Sequence, residues 1–410
     1  MKILVLATTF PRWSGDTEPS YVFRLSASLV KEGNEMFVLV PHAPGAKRVE
    51  EVEGLKIFRF RYFYPDRWEK LCYEGGILPK LRSNLMAWVN LPFFLGCQAW
   101  AIGHTICQEK VDVVHAHWLL PQGLFAVLWS FWFKVPVVTT IHGSDLMVFR
   151  RGPFGWLIRF VLSRSAAITV NSQTLKEKIP TKFKDRVYLI PMGVDFEVFH
   201  PGNQREARLK VGLGDEVLLL GVGRLSEQKG FHYLIEAVSF IREEFQSVRL
   251  ILIGEGPERK RLIQLVERLG LQNVVEFKGG IPQTQLADYY RASDVFILPS
   301  IRTKRGEEEA FGLVLAEAMA SGLPVIGTRT GGISSLIEDQ KTGLMVEEGD
   351  PPGVAAAIRR ILCEGALRDR LVQGGMEKVK EKCEWNHIAS RFDQIFQQVK
   401  GPHSSMGQED

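Results

Sequence analysis

Glu309 and Glu317 bracket the junction of a polar loop and a helical run within residues 297–328, ILPSIRTKRGEEEAFGLVLAEAMASGLPVIGT. The apolar run Val295–Leu298 reads as a strand that ends at Pro299-Ser300, and a loop with three consecutive glutamates follows. Phe311–Ala320 is built of strong helix formers and is stopped by Gly322-Leu323-Pro324. At about 100° per residue, the eight steps from Glu309 to Glu317 would leave them roughly 80° apart even on one continuous helix. Glu309 is therefore expected in the entering loop and Glu317 in the second helical turn, roughly 8–12 Å apart along the axis. Between them lies a helix N-terminus, whose free N–H groups and positive dipole end suit a phosphate. Carboxylates are good acceptors for paired sugar hydroxyls. A ligand with hydroxyls at both ends and a diphosphate in the middle, a sugar nucleotide, fits this spacing. A solvated glutamate run followed by an ordinary helix glutamate is the plainer alternative.

Other loops carry residues of the same chemistry. Arg224 and Lys229, in Gly223-Arg224-Leu225-Ser226-Glu227-Gln228-Lys229-Gly230, sit between a strand and a helix. Two cations there could neutralise a leaving diphosphate without a metal, although solvated loop cations would read the same way. No D-x-D occurs anywhere in the chain, the spacing expected of a metal-held nucleotide. In the first half, Val111–His115 leads into His115-Ala116-His117-Trp118, and Pro136–Ile141 into His142-Gly143-Ser144-Asp145. Lone histidines are usually structural, but the second group stands at a strand's carboxyl end, with a glycine that permits close approach.

The elements that must position these residues alternate. Lys2–Ala7, Glu35–Val40, Leu55–Phe60, Val111–His115, Pro136–Ile141, Ala167–Val170 and Val187–Ile190 read as strands. Tyr21–Lys31, Leu120–Phe133, Pro153–Arg164 and Ser172–Ile179 read as helices. The Pro- and Gly-rich stretch 191–214 reads as a connection. The rhythm then restarts with strands at Val217–Val222, Arg249–Ile253, Val274–Phe277, Val295–Leu298 and Pro324–Ile326, the first of them followed by a helix from Phe231. Helices from Pro351 to Glu381 and Trp385–Lys400 close the chain, and the tail 401–410 is expected to be disordered. Such βα alternation implies two doubly wound parallel sheets, with ligands at the carboxyl ends of their strands.

The 410 residues leave room for two domains of about 200 residues each. The net charge of +4 is uneven: residues 1–200 carry +7 and the remainder −3, and eight of the nine tryptophans precede residue 160. Arg59, Arg61 and Arg67 interleave with Phe58, Phe60, Tyr62, Phe63, Tyr64 and Trp68. With Arg150, Arg151, Trp156 and Arg159 these suggest a surface for an anionic bilayer, core packing with exposed arginine ends being the alternative. Residues 83–103 contain no charge, but Pro92, Asn90, Gln98 and two glycines make the segment a poor membrane span. The five scattered cysteines, Cys72, Cys97, Cys107, Cys363 and Cys383, are expected to be free thiols in a reducing compartment. The N-terminus reads as a first strand, with too short an apolar core for a signal peptide.

Arg224 with Lys229-Gly230, then Glu309 and Glu317 within EAFGLVLAEAMASGLPVIGT, together with HAHW, HGSD, IPMGVDFEVFHP and LILIGEGPERKRL in that order, resemble retaining glycosyltransferases of family 4. The similarity runs from Met1 to about Lys400. It implies the GT-B fold, two Rossmann-like domains facing a central cleft: 1–195 with a returning helix 385–400 on the acceptor side, and 196–384 binding the nucleotide sugar. It further implies that Arg224 and Lys229 hold the donor diphosphate, Glu309 the transferred sugar and Glu317 the ribose. Backbone N–H groups around Phe311, Gly312 and Leu313 would contact sugar or phosphates, and His142 would approach the sugar. Two positions depart from the family. Asp16-Thr17 stands where members often carry Gly-Gly after the first strand, and Met192-Gly193 replaces the usual Asn-Gly of the linker.

The expected function is a cytoplasmic transferase, peripheral on the membrane's cytoplasmic face, that moves a hexose-type sugar from a nucleoside diphosphate to a glycan or lipid-linked acceptor. No metal cofactor and no nucleic-acid partner are expected. A sugar-nucleotide epimerase on the same fold and a non-catalytic sugar-nucleotide-binding protein are the alternatives. A dinucleotide dehydrogenase is disfavoured because no G-x-G-x-x-G follows the first strand.

Overall fold

Two parallel sheets organise the computed structural model, which describes residues 1–16, 18–73, 76–143, 146 and 154–401. The chain divides into two units: one formed by Met1–Asn171, Lys176–Ile190 and the segment from Trp385 onward, the other by Ser172–Leu175 and Pro191–Glu384. The polar tail 402–410 lies outside the described residues.

In the first unit the strands are β1 (Lys2–Leu6), β2 (Glu35–Pro41), β3 (Val49–Val52), β4 (Leu55–Phe60), β5 (Val113–His117), β6 (Val137–Ile141), β7 (Ala167–Val170) and β8 (Val187–Leu189). They lie in the order β3-β4-β2-β1-β5-β6-β7-β8, parallel except for the β3–β4 hairpin. Helices α1 (Tyr21–Lys31), α2 (Ile77–Ser83), α3 (Leu85–Glu109), α4 (Leu124–Phe133), α5 (Gly155–Arg164) and α6 (Gln173–Lys178) alternate with them. α1 buries Val22, Leu25, Ser26 and Leu29, the i, i+3, i+4, i+7 stripe of a helix laid on a sheet.

The second unit starts with α7 (Gln204–Lys210), inside the stretch expected to be a bare connection. Its helix is fixed by the side chain of Asn203, which accepts the N–H of Glu206 at 3.2 Å. The strands are β9 (Val217–Val222), β10 (Val248–Ile253), β11 (Val275–Gly279), β12 (Val295–Leu298), β13 (Val325–Thr328) and β14 (Leu344–Val346). Their order, β11-β10-β9-β12-β13-β14, is all parallel and reverses between β9 and β12. Around them lie α8 (Phe231–Ile241), α9 (Arg259–Arg268), α10 (Gln283–Ala292), α11 (Leu313–Ala320), α12 (Ile333–Leu336), α13 (Pro351–Cys363) and α14 (Gly365–Cys383). The last helix, α15 (Trp385–Lys400), belongs to the first unit. There it buries Ile388, Phe392 and Phe396 in the core that also holds Val113 and Ile190, and Lys400 reaches Asp112 at 2.9 Å.

Several elements differ from the sequence expectation. β5 runs two residues further than Val111–His115, so His115 and His117 stand within the strand and not in the loop after it. The short strands β3 and β14 carry too little periodic signal to be read. The 25-residue α3 was unexpected because it is apolar on both sides: it buries Phe94, Ile102 and Ile106 with Asn90 and Gln98, while Trp88, Phe93 and Trp100 stay exposed. Helix α5 starts at Gly155; its expected start, Pro153, lies outside the described residues.

Candidate functional site

In the second sheet the strand order reverses between β9 and β12, which pair directly. A doubly wound sheet opens a crevice at this point, where the loops leave the strand ends on opposite faces. The loop after β9 carries Arg224 and Lys229, and the loop after β12 carries the three glutamates. Their meeting follows from strand adjacency: Lys229 Nζ donates to Glu309 Oε2 at 2.5 Å, both side chains being largely shielded. Arg224 is exposed on the same loop.

Glycines hold these loops against one another. Gly230 has φ +63°, and a Cβ there would lie 2.0 Å from the carbonyl oxygen of Pro299, so the β9 loop can seat on the β12 loop only with glycine at this position. The N–H of Ile301 donates to the carbonyl of Gln228 at 2.8 Å across the same seam. On the other side, Gly331 and Gly332 of the loop after β13 press on the backbone of Glu309 and Ala310, where a Cβ at Gly331 would lie 2.0 Å from the Glu309 oxygen. The N–H of Gly332 donates to that oxygen at 2.8 Å. The backbone of Glu309 is thus clamped before any ligand arrives. The sequence reading passed over Gly331-Gly332, although a glycine pair just after a strand was the available signal.

The three glutamates have different environments. Glu308 is buried and accepts from Arg302 at 2.9 Å, and the Glu307 N–H donates to Thr303 Oγ1 at 3.1 Å. Glu309 alone is paired with the β9 loop among the described contacts. Phe311 sends its ring into the core, and Gly332 lies against its backbone. Gly312 (φ +88°) precedes Leu313, the first residue of α11, and its carbonyl accepts the N–H groups of Leu315 at 2.8 Å and Ala316 at 3.3 Å.

Glu317 lies in the second turn of α11 and is buried. Gln283 Nε2 and the Tyr290 hydroxyl, both from α10, each donate to it at 3.1 Å. Burial pushes its pKa up to about 7, against the opposing pull of those two hydrogen bonds. Glu309 and Glu317 therefore hold separate partners: the first a loop lysine, the second a pair of neutral donors beneath the surface.

The first unit gathers three histidines at the carboxyl ends of β5 and β6. Residues two apart on a strand share a face, and the His115 and His117 rings lie 4.3 Å apart. His115 Nε2 meets Thr140 Oγ1 at 2.7 Å, and Thr140 Oγ1 in turn meets Thr169 Oγ1 at 2.6 Å. His117 Nδ1 meets His142 Nε2 at 2.9 Å, with the rings of Tyr21 and Trp118 packed on His142. Burial lowers all three pKa values, those of His115 and His142 to about 3, so the neutral forms persist at neutral pH. Only one of the two nitrogens in the His117–His142 contact can carry the proton, so each ring fixes the tautomer of the other. Ser144 and Asp145, which follow His142-Gly143, lie outside the described residues.

The loop after β1, where the resemblance would place paired glycines, is closed by a salt bridge. Arg12 Nε and Nη2 donate to the two Asp16 oxygens at 2.8 Å each, and the Arg12 N–H donates to Asp16 as well. Thr17, Arg150 and Arg151 lie outside the described residues. Of the two readings of the arginine–aromatic alternation in residues 58–68, an exposed surface or core packing, the structure favours core packing. Arg59 is buried against Glu50 at 2.6 Å, and Phe60 and Tyr62 belong to the core. Strand β4 directs these residues inward, leaving Tyr64, Arg67 and Trp68 exposed.

A cavity of about 380 Å³ in the second unit is lined by Phe196, Pro201, Ala320 and Met376. It adjoins the C-terminal end of α11, whereas Lys229 and Glu309 adjoin the loop that enters that helix. Among the described residues, no group of three His, Cys, Asp or Glu side chains is placed to hold a metal ion.

Two family models match: Glycosyltransferase Family 4 over residues 19–198 and Glycosyl transferases group 1 over residues 203–378. The N-acetyl-alpha-D-glucosaminyl L-malate synthase of Bacillus anthracis is 31% identical over 301 residues, covering 71% of this chain and 76% of that relative. A D-inositol 3-phosphate glycosyltransferase of Nocardiopsis dassonvillei is 32% identical over 355 residues, covering 80% of each. Among solved structures, the sucrose-phosphate synthase of Thermosynechococcus elongatus superposes with a TM-score of 0.77 at 23% identity, covering 97% of this chain and 98% of that one. Anabaena HepE in complex with UDP-glucose gives 0.72 at 19% identity, covering 96% and 98%. At these identities the likeness establishes the GT-B fold.

Proposed function

The chain belongs to glycosyltransferase family 4, and from that premise we propose that it moves a hexose-type sugar from a nucleoside diphosphate sugar to a glycan or lipid-linked acceptor, with retention at the anomeric carbon and without a metal ion. The observation that carries this reading is the Lys229–Glu309 pair at the switch point of the second sheet, clamped in place by Gly230, Gly331 and Gly332. A nucleoside diphosphate as leaving group suits such a site, and the HepE crystals hold UDP-glucose.

In this reading the donor diphosphate takes the charge of Lys229 and of Arg224, releasing Glu309 to accept hydroxyls of the transferred sugar. As the bond from the anomeric carbon to the phosphate oxygen breaks, negative charge grows on the diphosphate, and two fixed cations stabilise it without reorganisation. The acceptor oxygen bonds to the same face of that carbon, and its proton passes to the departing phosphate oxygen. Glu317 receives the ribose, and His142 approaches the sugar. Five cysteines without a disulfide suit a reducing, cytoplasmic location.

The test is donor hydrolysis by the purified full chain with UDP-, GDP- and ADP-sugars, with and without EDTA, and with Lys229→Ala as control. Turnover of at least one donor that survives chelation and is lost in the variant supports the assignment. Absence of turnover with every donor and acceptor, activity that needs Mg²⁺ or Mn²⁺, or a product of inverted anomeric configuration overturns it.

A further inference from the structure

Helix α3 is apolar on both of its sides, although one of them faces water. Its inner face buries Ala87, Phe94, Ala101, Ile102 and Ile106 beside Asn90 and Gln98, while Leu85 (83% exposed), Trp88, Val89, Phe93 and Trp100 (67%) point out. On a helical wheel this outward set, with Pro92 and Gly96, spans roughly 140°. No charged residue interrupts it from 83 to 103.

The apolar surface continues over two neighbouring helices. α4 packs beside α3, with Trp129 Nε1 donating to the Ala99 carbonyl at 2.6 Å, and presents Leu128, Phe131 and Trp132 (80% exposed) at i, i+3 and i+4. α5 packs beside α4 through the Phe131–Phe160 stack and adds Trp156 (66%). Phe63 bridges from the 61–70 segment by an edge contact with Phe93. Twelve of the seventeen exposed large hydrophobic residues described fall between 64 and 156. Soluble monomers rarely expose a contiguous patch of this kind.

Charge identifies the occupant. Residues 61–164 hold eleven Lys and Arg against six Asp and Glu. Arg67, Arg82, Lys134, Arg159 and Arg164 are exposed around the apolar helices, with Arg164 lying over the Phe131 ring at 4.6 Å, and of the acidic residues of 61–164 that are described, Asp66 alone is exposed. A second copy of this chain would bring the same cations against these. Aromatic side chains ringed by Lys and Arg suit the interface of an anionic bilayer.

We propose that the outer face of α3, α4 and α5 lies flat on an anionic lipid bilayer, with its tryptophan and phenylalanine side chains at headgroup depth and its cations on the lipid phosphates. α3 is long and apolar enough to cross a membrane, but Ala87, Phe94, Ala101, Ile102 and Ile106 tie its other face into the unit, so it lies on the surface and does not span. The attachment stands on this surface alone. The corollary that the acceptor is itself carried by a lipid rests on the proposed glycosyl transfer.

The experiment is co-sedimentation of the full chain with phosphatidylcholine vesicles and with vesicles containing phosphatidylglycerol, at low and high salt. Wild type should partition to the anionic vesicles, less so as salt rises. The pairs Trp88→Ser with Phe93→Ser, and Trp132→Ser with Trp156→Ser, should each weaken partition about tenfold or more, while circular dichroism, thermal midpoint and donor hydrolysis stay unchanged. These side chains are exposed, so folding survives their loss. No partition of the wild type, partition insensitive to both pairs, or equal partition to neutral and anionic vesicles overturns the proposal. So does a concentration-dependent dimer in light scattering that both pairs abolish without any vesicle binding. Loss of donor hydrolysis in Lys229→Ala with vesicle binding intact keeps this test separate from that of the catalytic reading.

Discussion

Helix α9 buries Leu262, Leu265 and Val266 and exposes Lys260, Arg261, Gln264, Glu267 and Arg268, whereas α3 buries Asn90 and Gln98 and exposes Trp88, Phe93 and Trp100. Both lie in units built on a parallel sheet, so their inner surfaces meet the same kind of neighbour. The difference is outside. A charged outer face costs nothing in water, and an aromatic one is stable only where water is displaced. The strand ends diverge in the same way: the second sheet's switch point displays a lysine–glutamate pair, while in the first sheet uncharged histidines are packed among aromatic rings. On the proposed readings, one unit meets a charged small molecule and the other a lipid surface.

The sharpest way to break this division is at Lys229. If the second unit supplies the charge that stabilises a leaving diphosphate, Lys229→Ala should lower kcat/KM about 10²-fold or more, the scale of losing one transition-state donor, and Arg224→Ala should do the same. Steady-state kinetics check both. A loss in chelator that Mg²⁺ restores would move the role to a metal.

Next in size are the two glutamates, whose separate partners predict separate kinetics. Glu309→Gln should mainly reduce turnover, because contacts to the sugar hydroxyls orient the carbon under attack. Glu317→Gln should mainly raise the donor KM, by roughly 10- to 150-fold if one charged hydrogen bond of about 1.5–3 kcal/mol is lost. With a Glu317 pKa near 7, the wild-type donor KM should also climb as pH falls through about 7, while Glu317→Gln stays flat. Losses confined to affinity in both variants, or a crippling effect from Glu307→Gln or Glu308→Gln, would show that the chemistry sits on another glutamate.

Much of the second unit was legible because its signals are local. Glu309 in the loop and Glu317 in the second turn of α11 followed from helix formers, breakers and residue spacing, and strands such as Val217–Val222 and Val295–Leu298 have the bounds their β-branched and apolar runs predict. What the chain did not announce depends on tertiary context. Arg59 looks like a surface arginine until β4 carries it beside Glu50. α3 defeats a periodicity search because apolar residues line both its buried and its exposed side, and the exposed ones support the proposed contact surface. Gly331-Gly332 matters only once the β13 loop is folded against Glu309.

The smallest effect is on stability, and its sign differs between the units. His115 is buried with its pKa lowered to about 3, so the folded state binds its proton less readily than the unfolded chain, where the value is near 6.5. Its contribution is present above about pH 6.5 and is lost as pH falls from there toward 3, roughly 2 kcal/mol by pH 5. Glu317 runs the other way. Its folded pKa of about 7 stands above the unfolded 4.5, so its contribution is present below about pH 4.5 and is lost as pH rises from there through 7, by about 3 kcal/mol in all. The two losses overlap between about pH 4.5 and 7 and nearly cancel there, so urea unfolding of the single variants across that range separates them. His115→Asn should remove only a part of the pH dependence that rises with pH and Glu317→Gln only the part that falls with pH, since the two groups sit in different units and share no partner. If either variant removes both parts, the two buried groups are energetically coupled, and the separation of roles between the units fails at its acid–base level.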